Sequence, residues 1–165
     1  MNFNHFDERG HAIMVDVSAK QKTLRTAIAA AVVEMSPDLL AAINSGGVAK
    51  GDVLGVARLA GIMAAKKTCD LIPLSHPLAI HNVTVDFEQG MAPGRLTVKC
   101  LVRAHERTGV EMEAMTGAAL AALTIYDMCK GSDKSITIGE IKLLFKEGGK
   151  SGVYHREETP CEPPY

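Results

Sequence analysis

The side chains of this chain that could hold an anion or move a proton stand at the ends of its expected elements. Asp127 and Lys130 are three residues apart at the end of a helical stretch, hence on one face. They fit a surface ion pair beside a helix C-terminus, or a carboxylate orienting a proton-transferring amine, and spacing alone leaves both readings open. Asp127 and the helix end favour a charged Lys130, whereas burial and nearby cations would favour the neutral amine a base needs. Glu111 and Glu113 alternate, and on an expected strand both carboxylates would share one face. His76 lies in Pro73-Leu74-Ser75-His76-Pro77, where two prolines stiffen the backbone, as in loops that carry binding residues. Lys50 precedes a helix start, where the dipole disfavours a cation and free N–H groups offer an anion site. Arg25 borders the polar face of the first expected helix, where snorkelling would also explain it. Together these amines, imidazole and carboxylates could bind an anionic, phosphorylated substrate and move protons without a cofactor.

Other chemistries lack their residues. Cys69, Cys100, Cys129 and Cys161 form no C-x-x-C, and His76 and His81 do not match a helical ligand pair, so no metal is expected. Four widely spaced cysteines without a secretory start read as reduced thiols of a cytoplasmic protein. Gly46-Gly47-Val48-Ala49-Lys50-Gly51 resembles a phosphate loop only in composition, and no nucleophile elbow occurs.

The elements that must position these groups follow from periodicity. Ile13, Val15 and Val17 alternate as a short strand. Leu24, Ala27, Ile28, Ala31, Val32 and Met35 recur at helical spacing and predict a helix of about 15 residues capped by Ser18. Ser36-Pro37 opens a short second helix, and Asp52 caps a third that is apolar nearly all round through Lys66. Val83, Val85 and Phe87, then Leu96 to Ala104, form an expected hairpin. Residues 110–114 read as a strand, and Thr116 as the cap of a small-residue helix running to Lys130 and stopped by Gly131. A last strand runs from Ser135 to Phe145, with a bulge near Gly139 where the apolar phase shifts. The sum approaches βαββαβ, an α+β fold with an antiparallel sheet on the split-βαβ plan. One domain over residues 1–155 and a disordered tail over 156–165 are expected.

Composition bounds the function. The 165 residues carry 18 basic and 19 acidic side chains, net −1, which excludes a broad electrostatic surface but not a few cations in one pocket. An aromatic content of 4% leaves little for the stacking platforms of a single-strand nucleic-acid binder. No apolar run is long enough to span a membrane. Apolar faces all round the helices at 52–67 and 116–130 predict an obligate oligomer.

Six segments then occur in order: Met14-Val15-Asp16-Val17-Ser18, Lys50-Gly51-Asp52, Ala64-Ala65-Lys66-Lys67-Thr68, Asp70-Leu71-Ile72-Pro73-Leu74-Ser75-His76-Pro77-Leu78, Gly109-Val110-Glu111-Met112-Glu113-Ala114 and Tyr126-Asp127-Met128-Cys129-Lys130. In this collinear set the chain resembles the MoaC family, the cyclic pyranopterin monophosphate synthases of molybdenum cofactor biosynthesis, from about His5 to His155. The resemblance implies a ferredoxin-like plait, hexamers built as trimers of dimers, and active sites at subunit interfaces. It implies a lyase that takes the cyclic dihydroguanosine triphosphate made by a MoaA-type radical enzyme and releases diphosphate, with no metal or organic cofactor. Carried over by motif, Lys50, Lys130 and Asp127 would be catalytic. Leu74, Ser75, His76, Met112 and Glu113 would line the substrate pocket with Glu111 close by, and Arg25, Lys66 and Lys67 would serve the phosphate side. Many members carry Cys where this chain has Ser75. The rival from another class is a non-catalytic sensing or interaction domain on the same plait.

Overall fold

The computed structural model describes residues 5–48, 51–150 and 152–157. Lys50 and residues 158–165 of the expected tail lie outside them. Nine elements follow in order: β1 (Thr23–Glu34), α1 (Pro37–Asn44), α2 (Val53–Lys66), α3 (Thr68–Leu71), β2 (Ile80–Gln89), β3 (Arg95–Glu106), α4 (Glu111–Cys129), β4 (Thr137–Glu147) and β5 (Tyr154–His155).

The strands form one sheet in the order β2-β3-β1-β4-β5, with every neighbouring pair antiparallel. This is the ferredoxin-like plait expected from the sequence, with β5 added at one edge. Its first strand, however, is not the expected one. Residues 13–17 form no strand, and the segment expected to be the first helix is β1, with Arg25 on it. Ala27 to Val33 is an almost unbroken apolar run, so it satisfies a helical period as readily as any other. Pairing settles the conformation: β1 is the central strand, matched to β3 across all twelve of its residues and to β4 on its other side. Ser18 caps no helix; its N–H donates to the Asp16 carboxylate in a turn (2.8 Å).

Alternation along the strands builds the core. Ala27, Ala29, Ala31 and Val33 of β1 lie beside Val102, Cys100, Val98 and Leu96 of β3, all buried against the helices. The alanines leave room for α4, which brings Ala114, Ala118, Ala121 and Ala122 down onto them. Between α2 and α4 the approach is closer still. A Cβ on Gly61 would lie 2.9 Å from the Gly117 carbonyl, and one on Gly117 would lie 2.6 Å from Cys100 Sγ. The two helices run antiparallel, since Gly61 meets Gly117 and Ala121 while Ala65 meets Gly117. The start of α2 therefore lies toward the end of α4.

The remaining signals act locally. Ser36 caps α1 with Pro37 in its first turn, and Asp52 caps α2 by accepting from the Gly55 N–H (2.8 Å), as expected. The β2–β3 hairpin forms as expected. The bulge expected near Gly139 is present: the β1–β4 register shifts there, and Glu140 adopts φ 50°. Arg95 of β3 binds both Glu140 and Glu34, and Lys142 binds Glu140 (2.9 Å), fixing the kink. These cations hold the Glu140 carboxyl down at about 2, with the Lys142 hydrogen bond the leading cause.

One further correction bears on the site. Residues 110–114 are not a strand, and Thr116 is no cap; α4 already begins at Glu111, with buried Val110 as its N-cap. The alternation of Glu111, Met112 and Glu113 covers too few residues to separate a strand from a helix start. The small residues of 114–122, needed against the sheet, carry the helix back through them.

Candidate active site

The helical start of α4 changes what its acidic residues can do. Successive side chains turn by about 100° around a helix, so Glu111 and Glu113 diverge instead of sharing a face. Glu111 opens into a cavity of about 720 Å³ at one end of the sheet, where Lys146 of β4 donates to it (2.8 Å). Arg25 lines the same cavity. Its guanidinium is engaged as a bracket: Nε donates to the Glu106 carbonyl and Nη2 to the Arg107 carbonyl, both at 3.2 Å.

Glu113 turns the other way, into a smaller recess of about 300 Å³ that also holds Lys66, Thr68, Cys69 and His76. It is only 3% exposed, the one buried carboxylate among the described residues. Burial pushes its carboxyl up to about 7, the neighbouring Glu111 adds to this, and a hydrogen bond from its own backbone N–H opposes it. A carboxyl held near neutrality can take up or give a proton at working pH.

His76 is oriented by a contact that sequence reading did not find. Its Nε2 lies 2.8 Å from the Val15 carbonyl. A carbonyl only accepts, so Nε2 carries the hydrogen and a neutral ring presents Nδ1 as its free acceptor. The 14–18 segment thus serves as a clamp on His76 in place of a strand. Asp16 sits close enough for the His76 charge to add to the lowering of its carboxyl, which the Ser18 N–H and hydroxyl chiefly cause.

Between the two cavities Met112 stands 40% exposed. Leu74 and Ser75 lie in the turn before His76, where the Ser75 N–H donates to the Ile72 carbonyl (3.0 Å), and neither lines the recess. Lys67 caps α2 and points to solvent outside it.

Asp127 and Lys130 occupy the opposite end of α4. They form an ion pair of 2.6 Å, exposed on both sides. That hydrogen bond and charge raise the Lys130 amine and keep it protonated. Fourteen residues separate Glu113 from Asp127, about 21 Å along a helix axis. Within one chain the candidate groups therefore form two halves. His76, Glu113 and Lys66, with Arg25 and Glu111 around the corner, make one; Asp127 and Lys130 make the other, at the end where α2 begins. Among the described residues no cluster of three or more His, Cys, Asp or Glu could hold a metal ion. Burial pushes the Cys100 thiol up to about 12.

Lys146 is the functional candidate that sequence reading missed most plainly. Its partner Glu111 is 35 residues away, and only the pairing of β4 beside β1 brings them together.

The MoaC family model matches residues 14–149. The chain is 80% identical to the cyclic pyranopterin monophosphate synthase of Pelobacter propionicus, over 96% of this chain and 99% of that protein. It is 71% identical to that of Geobacter sulfurreducens over the same shares. Against the synthase of Clostridium perfringens the identity is 51%, over 92% of this chain and 96% of the other. The chain belongs to the MoaC family.

Proposed function

We propose that this chain is a cyclic pyranopterin monophosphate synthase of molybdenum cofactor biosynthesis. It converts (8S)-3′,8-cyclo-7,8-dihydroguanosine 5′-triphosphate into cyclic pyranopterin monophosphate and diphosphate. The observation that carries this reading is Glu113, a buried carboxyl poised near neutrality in a recess shared with His76 and Lys66. A sensing or interaction domain would have no use for such a group, whose burial costs stability.

The reaction opens and recloses a ring system and then closes a cyclic phosphate. The first part needs several proton transfers, which Glu113, His76, Asp127 and the lysines can perform. In the second, a substrate hydroxyl oxygen bonds to the α-phosphorus and gives up its proton, while the α–β bridging bond breaks and diphosphate leaves. Cations must face the charge that develops there. Lys50 and Lys130 are the catalytic amines of this reading, Asp127 orients Lys130, and Arg25, Lys66 and Lys67 serve the phosphate side. Leu74, Ser75, Met112 and Glu111 complete the substrate surroundings. Neither metal nor organic cofactor takes part.

The two halves of the site, about 21 Å apart along α4, meet between subunits. Lys130 held protonated in one chain becomes a usable base when a neighbour buries it among further cations. A stripe of Val56, Leu59 and Met63 on α2, 47–59% exposed, supports an oligomer, read here as a hexamer of three dimers. Residues 1–155 act as one cytoplasmic domain supplied by a MoaA-type radical enzyme.

Turnover of the cyclic triphosphate intermediate, followed by diphosphate release and pyranopterin formation, tests this reading. Lys50→Arg and Lys130→Arg are expected to lose most activity. Full turnover in both variants would remove the catalytic assignment.

A further inference from the structure

The end of α4 that carries Lys130 lacks an ordinary stop. Lys130 is the C-cap, and Gly131, expected to close the helix, does not take the left-handed conformation in which a glycine does so. The chain instead makes one more turn, in which the N–H groups of Ser132 and Asp133 both donate to the Cys129 carbonyl (2.8 and 3.1 Å). By itself that turn is weak. Glycine is the poorest helix former after proline, and a Cβ on Gly131 would meet nothing within 4 Å, so no packing stiffens it. Helix ends of this kind fray. Lys130 is the residue that fraying would displace.

Asp133 closes the turn from outside the helix. Its Oδ2 accepts from the Ser36 N–H (3.0 Å), and its Oδ1 accepts from the N–H and the hydroxyl of Ser135 (2.8 and 2.6 Å). Ser36 is the N-cap of α1, two residues beyond the end of β1, and Ser135 stands two residues before β4 begins. Glu34 and Thr137 face each other where those strands pair. One half-buried carboxylate thus fastens the turn after α4 to the adjoining ends of β1 and β4. The same donors, the Ser135 hydroxyl first, hold the Asp133 carboxyl down at about 2, so it stays charged at any working pH. Hydrogen bonds to a charged acceptor are the strong ones.

We propose that Asp133 is a positioning residue of the enzyme, which fixes the Lys130–Asp127 pair for catalysis by fastening the turn that follows it to β1 and β4. The assignment rests on the synthase reading above, in which Lys130 is a catalytic amine. The pair is exposed on its own chain and belongs to a site that a neighbouring chain completes. Its place is therefore set by the backbone beneath it before substrate arrives. Asp133 touches no reacting atom and acts through Lys130 alone. A displacement of about 1 Å at such a group is enough to cost a rate factor on the order of a hundred.

Steady-state kinetics of the full-length protein, joined to amide hydrogen exchange, tests the proposal. Asp133→Ala is expected to lower kcat roughly tenfold to a hundredfold with KM nearly unchanged. Asp133→Asn keeps an oxygen for Ser135 but cannot accept from the Ser36 N–H with its amide nitrogen, and its kcat should fall between. Gly131→Ala stiffens the same turn and should restore part of kcat to the Asp133→Ala protein. The deciding comparison adds Asp133→Ala to Lys130→Arg and follows the residual rate in single turnovers. Action through Lys130 predicts a further loss of less than about twofold, whereas a general structural role predicts the same loss in both backgrounds. An equal loss in both, or an unchanged kcat in Asp133→Ala, overturns the proposal. Exchange at the Ser132 and Asp133 amides is expected to quicken in Asp133→Ala while the amides of Ala118 and Ile125 keep their rates; unaltered exchange at the first two overturns it as well. Wild-type protein that never turns over the cyclic triphosphate, in a case where that quickening is nonetheless seen, sinks the synthase reading and leaves the hold of Asp133 on the turn standing.

Discussion

At the scale of single residues the account turns on Glu113. Its carboxyl has an ordinary value of 4.5 and stands at about 7 in the folded chain. Below pH 4.5 both states are protonated and the site costs nothing. As pH rises from 4.5 to 7 the unfolded chain releases its proton while the folded one resists, so stability falls across that window and stays lower above it. Glu113→Gln removes this slope. At pH 8 the variant is expected to be more stable by on the order of 1–3 kcal/mol in urea unfolding. Activity moves the opposite way, with kcat falling roughly 10²–10⁴-fold if Glu113 transfers a proton. A variant that lost both stability and activity would mark Glu113 as a structural acid. His76 makes a comparable point about legibility. The prolines around it marked a rigid loop, but its orienting acceptor is a backbone carbonyl, and any residue type at position 15 would supply that.

At the scale of elements, the sequence announced those whose ends carry chemistry of their own. Ser36-Pro37 and Asp52 mark their helices because N-terminal caps need particular side chains. The β1 segment carries helical spacing because a central strand buried on both sides needs no alternation, and alanine satisfies either period. The start of α4 has the pattern of a strand because three alternating residues cannot tell 100° from 180° per residue. Fold class is unaffected by either difference: the expected strand at 13–17 is a loop, the segment expected as a helix at 24–35 supplies the first strand instead, and the helices after it keep the βαββαβ order. The site did not survive them unchanged, since a shared face for Glu111 and Glu113 became two separate cavities. The contact of α2 with α4 gives its own prediction. Gly117→Ala puts a methyl 2.6 Å from Cys100 Sγ in a buried layer. The helix must shift, and the loss of stability is expected to be about 1–3 kcal/mol by urea unfolding. A neutral result would show that α4 has slack against the sheet.

At the scale of the whole molecule, the proposed assembly rests on apolar surface that one chain leaves open. Its apolar stripe on α2 and exposed Leu123 on α4 lie outside the core that the sheet and helices enclose. Light scattering at micromolar concentration should give a multiple of the 17.6 kDa chain mass, and Leu59→Glu should lower it; a wild-type monomer would refute the oligomer. Motif spacing gathered the candidate residues into one set, but it could not say that α4 divides them between its two ends. The central claim is that the halves belong to different chains, and mixing tests it most directly. Glu113→Gln and Lys130→Ala proteins, each inactive alone, are assembled together in equal amounts. If every site takes one half from each of two neighbours, random mixing leaves about a quarter of the sites intact, and about a quarter of wild-type turnover of the cyclic triphosphate should return. Recovery no greater than the sum of the separate variants would contradict the account.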